Sequence, residues 1–166
     1  MKSNITLIGM PGAGKSTTGI ILAKNISKGF LDTDILIQIN QGQPLQQILD
    51  EQGHLALRLV EEKEVCKINI ENCIISTGGS VAYSKKAMEH LKEISTIIFL
   101  EVSFDEITRR ITNFESRGIA KAKHQSFLDL FNERQKLYKQ YADIVISAEG
   151  ATQDEIALRI VQSLKL

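Results

Sequence analysis

The sequence predicts an α/β fold, a three-layer sandwich in which a five-stranded parallel sheet carries helices on both faces. Three observations lead there. Short β-branched and apolar runs alternate with stretches of helical periodicity along the whole chain. The first run, Asn4-Ile5-Thr6-Leu7-Ile8, has the composition of a strand buried on both faces of a parallel sheet. That run leads directly into Gly9-Met10-Pro11-Gly12-Ala13-Gly14-Lys15-Ser16-Thr17, which fits the phosphate-loop pattern G-x-x-x-x-G-K-[ST] in its required place between a strand and a helix.

The elements follow in order. From Lys15 to about Ser27, Ile20, Ile21, Ala23 and Ile26 recur at helical spacing, and Lys28-Gly29 closes the helix. Phe30-Leu31-Asp32 is a short second strand whose carboxyl end carries Asp32-Thr33-Asp34. Ile35 to Asn40 reads as a helix broken at Gln41-Gly42, and Pro44 opens another that Gly53 ends. His54 to Asn69 is helical, with Leu55, Leu59 and Cys66 on or near the inward side and Arg58 and Glu61 one turn apart on another. The strand Cys73-Ile74-Ile75-Ser76 runs into the turn Thr77-Gly78-Gly79-Ser80. A helix from Ser84 to Glu93 and the strand Thr96 to Leu100 come next, and Ser103-Phe104-Asp105-Glu106 fits a capping box opening a further helix. Asn113 to Gln125 is polar, contains Gly118, carries Arg117, Lys121, Lys123 and His124, and reads as a mobile surface segment. A helix from about Phe127 to Tyr141, the last strand Asp143 to Ile146, and a second capping box at Thr152-Gln153-Asp154-Glu155 before the closing helix complete the chain.

Composition bounds the function. A chain of 166 residues suffices for one domain with a full core and is short for two. Basic and acidic residues balance at 20 each, so no global field draws the protein to nucleic acid or an anionic membrane, and any anion site is local. Cys66 and Cys73 lack zinc-type spacing and read as reduced thiols. Neither a leader nor an apolar run approaching ~20 residues is present, so the expectation is a cytoplasmic protein.

The motifs carry the chemistry. Gly12, Ala13, Gly14, Lys15, Ser16 and Thr17 would wrap nucleotide phosphates with backbone N–H groups, assisted by the positive end of the following helix. Lys15 would reach the β- and γ-phosphates and Ser16 would hold Mg²⁺. Asp32, at the carboxyl end of a strand where ligands of parallel sheets bind, suits the water shell of that Mg²⁺; it also suits a strand-end turn. Asp34, further out, could orient or deprotonate the hydroxyl of a second substrate, or simply cap the next helix. On spacing alone, Arg58, Arg117 and Arg134 could each be an ordinary surface charge.

At this point the sequence resembles the shikimate kinase family over nearly its whole length. The phosphate loop and Leu31-Asp32-Thr33-Asp34 are similar to the family's opening; Leu57-Arg58-Leu59-Val60-Glu61 falls on its F-R-x-x-E pattern and Thr77-Gly78-Gly79-Ser80 on T-G-G-G. Arg110 and Arg117 fit its adenine-side and lid arginines, and Arg134-Gln135-Lys136-Leu137-Tyr138 resembles R-x-P-L-Y. The resemblance implies a P-loop, nucleoside-monophosphate-kinase-like fold with a short lid at about residues 113–125, one kinase domain over residues 1–166, and a monomer. It implies ATP-dependent, Mg²⁺-dependent phosphorylation of the 3-hydroxyl of shikimate, toward chorismate and the aromatic amino acids. Lys15, Asp34 and Arg117 would be catalytic; Arg110 would pack on adenine; Arg58 and Arg134 would clamp the shikimate carboxylate, with Gly78 and Gly79 against the ring. Glu61 would orient Arg58 or support the metal's surroundings.

Departures cluster at the acceptor side and the lid. Ser80 replaces the third glycine, His54 an acidic residue, Leu57 the phenylalanine, Gly118 the proline after the lid arginine and Lys136 the proline before Leu137-Tyr138. Gly118 implies a more mobile lid. The rival readings are a kinase of another hydroxylated acid such as gluconate and an inactive nucleotide-binding regulatory paralogue. No N-K-x-D guanine-reading motif supports a GTPase.

Overall fold

The structure, a computed structural model, describes residues 2–111, 119–122 and 124–165. In chain order its elements are β1 (Asn4–Ile8), α1 (Lys15–Asn25), β2 (Gly29–Asp32), α2 (Thr33–Gln41), α3 (Leu45–Val65), β3 (Cys73–Ser76), a 3₁₀ turn (Val81–Tyr83), α4 (Lys85–Ile94), β4 (Ser95–Glu101), α5 (Phe104–Arg110), α6 (Phe127–Tyr141), β5 (Ile144–Ser147) and α7 (Gln153–Leu164). The strands form one parallel sheet in the order β2-β3-β1-β4-β5. Right-handed crossovers put α1 and α7 on one face and α3, α4 and α6 on the other, and the packing of α1 on α7 and α3 on α4 agrees. The expected three-layer parallel architecture is present.

The order of strands locates the site before any side chain is considered. The chain leaves β1 toward one edge of the sheet and leaves β3 toward the other, so a crevice opens between the loops that follow them. The phosphate loop and the Thr77–Ser80 turn are those loops. Thr77 ties them together, donating to the Leu7 carbonyl from both its backbone N–H, at 3.2 Å, and its hydroxyl, at 3.1 Å.

Two apolar clusters stabilise this frame. The larger fills both faces of the sheet, with Leu7, Ile8, Ile74, Ile75, Ile98 and Phe99 fully buried. The smaller joins Ile37 of α2, Ile48 and Leu57 of α3, and Ala120, with Leu45, Leu49 and Val60 packed at its margin. It holds α2 and α3 as a separate wall beside the crevice, and Leu57 fills the place expected for phenylalanine.

Several sequence expectations are corrected. α2 starts at Thr33, not Ile35, because Asp32 caps it by accepting from the N–H groups of Asp34 and Ile35. Leu55 and Leu59 point outward, at 63% and 59% exposed, while Leu57, Glu61 and Glu64 are buried. The inward face of α3 borders a polar cavity as well as core, so apolarity does not mark it. On α1 Ala23 is buried as expected, but its partner in the core is Leu22, and Ile20 is exposed. Ser103 caps α5, but its own N–H goes to Glu149 rather than closing the box with Glu106, whose carboxylate turns to Arg109 and Arg110. The box at Thr152 and Glu155 is complete, and a further one, unforeseen, joins Ser126 and Asp129. His90 on α4 contacts the Ile68 carbonyl at 2.8 Å.

Gly53 breaks α3 as expected, with φ 84° and ψ 171° inside an otherwise helical run. A Cβ placed there meets nothing within 4 Å, so substitution tests backbone strain alone. Gly53→Ala should cost about 1–3 kcal/mol and lower the melting temperature by several degrees. An unchanged calorimetric melt would mean that the break relaxes freely.

Candidate active site

The donor half grows out of the phosphate loop. Gly14 takes the left-handed conformation, φ 89°, at the head of α1, leaving the first N–H groups of that helix turned toward the crevice. Lys15 is only 7% exposed and arches back over the loop, donating to the carbonyls of Gly9 at 2.8 Å and Met10 at 2.9 Å. Burial pulls its pKa down to about 8, against the opposing carboxylates of Asp34 and Asp32. Ser16 donates to Asp32 Oδ2 at 2.5 Å and sits 3.1 Å from the Ser76 hydroxyl. Hydroxyl and carboxylate oxygens meeting beside a phosphate loop are donors that suit Mg²⁺, which keeps much of its water shell; among the described residues no group of three or more His, Cys, Asp or Glu gathers. Arg110 lies at the rim, held by Glu106 Oε1 at 2.7 Å and the Ala148 carbonyl at 3.3 Å. Gly12, Gly14, Lys15, Ser16, Thr17 and Arg110 line the cavity. Ala13 is buried and gives its N–H to the Met10 carbonyl at 3.1 Å.

The cavity, about 420 Å³, continues from the loop to the wall formed by α2 and α3. Because Asp32 takes the capping role, Asp34 keeps its carboxylate for the cavity it lines. Burial and the neighbouring Asp32 raise its pKa to about 6. Glu61 lines the same cavity from α3 and is 3% exposed. Burial, then the Asp34 charge, raises its pKa to about 7. The Ser80 hydroxyl donates to Glu61 Oε2, while Oε1 has no hydrogen-bond partner. A Cβ on Gly78 would lie 2.3 Å from Glu61 Oε1 and 2.7 Å from Asp34 Oδ1, so a side chain here would displace two converging carboxyl groups. A Cβ on Gly79 would strike Arg134 Nη1 and Pro11 Cδ, each at 2.7 Å.

Near the carboxyl groups stand two guanidinium groups, that of Arg134 lining the same cavity. Arg134, 1% exposed, donates to the Ala120 carbonyl at 2.8 Å, and Arg58 donates to the same oxygen at 3.4 Å. Burial lowers the pKa of Arg58. The Nε of each arginine is buried and has no hydrogen-bond partner. Two forked donors thus converge on one neutral acceptor and retain unused N–H groups, an arrangement suited to a planar carboxylate. Tyr138, one turn beyond Arg134, donates to the Gly79 carbonyl at 2.5 Å, and burial raises its pKa. Lys136, where proline was expected, lets α6 run unbroken and present Arg134 and Tyr138 together.

The structure thus brings Lys15, Ser16, Asp32, Asp34, Arg58, Gly78, Gly79, Arg110 and Arg134 to one crevice. Arg117 and Gly118, and most of the expected lid, lie outside the described residues. Glu61 binds Ser80 rather than Arg58. Ser80, expected to crowd the turn, has ordinary backbone angles, φ −92° and ψ −5°, and its hydroxyl holds Glu61 in place. Tyr83 and the Ala120 carbonyl were not foreseen. No motif marks either; a lone tyrosine after a glycine turn and a backbone oxygen leave no spacing signal.

A phosphate loop, a cleft at the switch point of a parallel sheet and a separate wall of helices beside it define a P-loop kinase acting on a small molecule. The family model "Shikimate kinase" matches residues 11–165. A shikimate kinase of Sulfurihydrogenibium sp. (strain YO3AOP1) is 32% identical over 163 residues, covering 98% of each chain, and one of Clostridium botulinum (strain Eklund 17B / Type B) is 35% identical over 158 residues, covering 94% of this chain and 93% of that one. Among solved structures, the shikimate kinase from Acinetobacter baumannii in complex with shikimate superposes with a TM-score of 0.92 at 25% identity, covering 99% of this chain and 94% of that one. The chain belongs to the shikimate kinase family.

The buried Glu61 makes stability depend on pH. Its folded-state pKa of about 7 lies above the ordinary 4.5, so the stability it contributes is full below about 4.5 and is lost as pH rises through 7. The amount is on the order of 3 kcal/mol. Glu61→Gln should remove this component, so urea unfolding of the variant should fall less between pH 5 and pH 8 than that of the wild type. Parallel pH dependences would show that Glu61 is not the source.

Proposed function

We propose that this protein transfers the γ-phosphoryl group of ATP to the 3-hydroxyl of shikimate, forming shikimate 3-phosphate and ADP, in the route to chorismate and the aromatic amino acids. The observation that carries the reading is the pair Arg58 and Arg134, converging on one carbonyl with buried Nε–H groups unmatched, with Arg134 and Asp34 lining the same cavity. A carboxylate clamp together with a base suits a small acid bearing hydroxyls. Family membership supports the choice of acid.

Each residue then has a role. The loop amides and Lys15 hold the β- and γ-phosphates, and Lys15 offsets charge that builds on the transferred group. Ser16, and Asp32 through water, would hold Mg²⁺, which when bound screens the phosphate oxygens against one another. Arg58 and Arg134 fix the shikimate carboxylate, and Gly78 and Gly79 let the ring approach the backbone. Asp34 takes the proton of the 3-hydroxyl as its oxygen bonds to the γ-phosphorus and the bond from that phosphorus to the β-phosphate bridging oxygen breaks. The two buried carboxyl groups lie near enough to titrate as a pair, so Glu61 helps set the ionisation of Asp34. Arg110 packs at the adenine side, and Arg117 closes from the lid. We place the protein in the cytoplasm as a monomer of one kinase domain; no described helix is long and apolar enough to cross a membrane.

Coupled ADP release measured with shikimate, gluconate and homoserine tests the reading. Turnover is expected on shikimate alone, and turnover on another compound with none on shikimate would overturn it. Asp34→Asn should lower kcat by about 10²-fold or more with ATP binding kept; near-normal turnover would remove Asp34 from its role. The pH profile has a worked sign. kcat/KM for shikimate should rise as the Asp34 and Glu61 pair ionises between about pH 6 and 7, and kcat/KM for ATP should fall above about pH 8 as Lys15 loses its charge. A flat profile from pH 5.5 to 7.5 would contradict the base.

A further inference from the structure

We propose that Tyr83 is a positioning residue that sets the acceptor's carboxylate clamp, an inference that rests on Arg58 and Arg134 forming that clamp. The guanidinium carbon of Arg58 lies 3.5 Å from the centre of the Tyr83 ring, and that of Arg134 lies 5.5 Å from it. One aromatic ring therefore serves two cations. Both distances fall within the range over which a ring's electron-rich face attracts a guanidinium.

The physical need for such a ring is clear from what surrounds it. Two like charges lie close together, and Arg134 disfavours the charge on Arg58. Among the described residues the hydrogen-bond acceptor they have in common is the Ala120 carbonyl, and the Arg58 bond to it is long at 3.4 Å. Glu61, the nearest carboxyl group on α3, is engaged by Ser80. An arginine side chain with one weak bond has several rotamers open to it, so the ring face supplies the remaining constraint on Arg58 without consuming the N–H groups that a carboxylate needs. A carboxylate in the ring's place would neutralise the clamp.

The ring is itself held. Its hydroxyl donates to Glu133 Oε1, and the other oxygen of Glu133 accepts from Gln125 Nε2 at 3.3 Å. Glu133 stands next to Arg134 on α6, so the tie fixes the 3₁₀ turn against the helix that carries the second arginine. That turn begins one residue after Ser80. One short stretch thus holds Glu61 through Ser80 and both arginines through Tyr83, linking the carboxyl group that neighbours the base to the clamp by a rigid spacer of a few residues.

Steady-state kinetics of Tyr83→Leu and Tyr83→Phe, with Arg58→Ala and Arg134→Ala alongside, tests this. Leucine keeps an apolar side chain but has no ring face: KM for shikimate should rise roughly tenfold, with kcat and the KM for ATP within about twofold. Phenylalanine keeps the face and loses the hydroxyl's contacts with Glu133 and Arg134, so its KM should return to within about twofold of the wild type. A Tyr83→Leu variant with wild-type KM, or a Tyr83→Phe variant as impaired as it, would overturn the assignment. If both arginine variants keep the wild-type KM, the clamp itself is wrong and the role of Tyr83 falls with it; if they raise KM and Tyr83→Leu does not, only Tyr83 is misassigned. Thermal melts within a few degrees of wild type keep a folding defect from imitating the expected KM change.

Discussion

The parallel pairing of β1 with β3 is the constraint on which the rest depends. It sets the phosphate loop and the Thr77–Ser80 turn side by side at the carboxyl ends of two buried strands, with Thr77 bonded to Leu7 across the join. Everything ionised in the site is arranged around that join. The loop side carries Lys15 and Ser16; the turn side receives carboxyl groups at Gly78 and a guanidinium at Gly79. The absence of side chains at these two positions is what lets groups of both signs approach one stretch of backbone.

Burying so many ionisable groups in one place has an energetic sign. Glu61 and Asp34 are held above the usual carboxylate range, and Lys15 below the usual ammonium range. Charges of this kind are poor devices for stability and are retained where chemistry needs them. The larger apolar cluster, with its continuous rows from β1, β3 and β4, supplies the stability that the crevice gives up. The smaller cluster does the same locally, anchoring the α2 and α3 wall so that Asp34, Arg58 and Glu61 keep their mutual spacing.

The sheet and the donor half were legible in the sequence because each depends on local chemistry. A strand running into G-x-x-x-x-G-K-S states its own geometry, and Gly53 announced its break in α3. The acceptor half was less legible. Leu55 and Leu59 satisfy a helical period yet face outward, since the inward face of α3 was selected to line a polar cavity. Asp32 and Asp34 are both good caps, and only the position of the helix start tells which carboxylate stays free. Ser80 was read as a missing glycine, but its hydroxyl meets a residue 19 positions away in sequence. Tyr83 meets Arg58 and Arg134 from other elements, and contacts of that range have no periodicity to betray them.

The shared Ala120 carbonyl has a thermodynamic meaning. It neutralises neither arginine, and the Nε–H of each remains free, so in the proposed role a carboxylate would form bonds without first breaking an ion pair among the described residues. Little reorganisation stands between the empty and the filled site. The cost of desolvating and immobilising Arg134 is met when the chain folds, so in the proposed role an acid would meet that donor already dry and still. Affinity for a small, rigid, singly charged molecule would then come chiefly from a host that does not have to change shape to receive it.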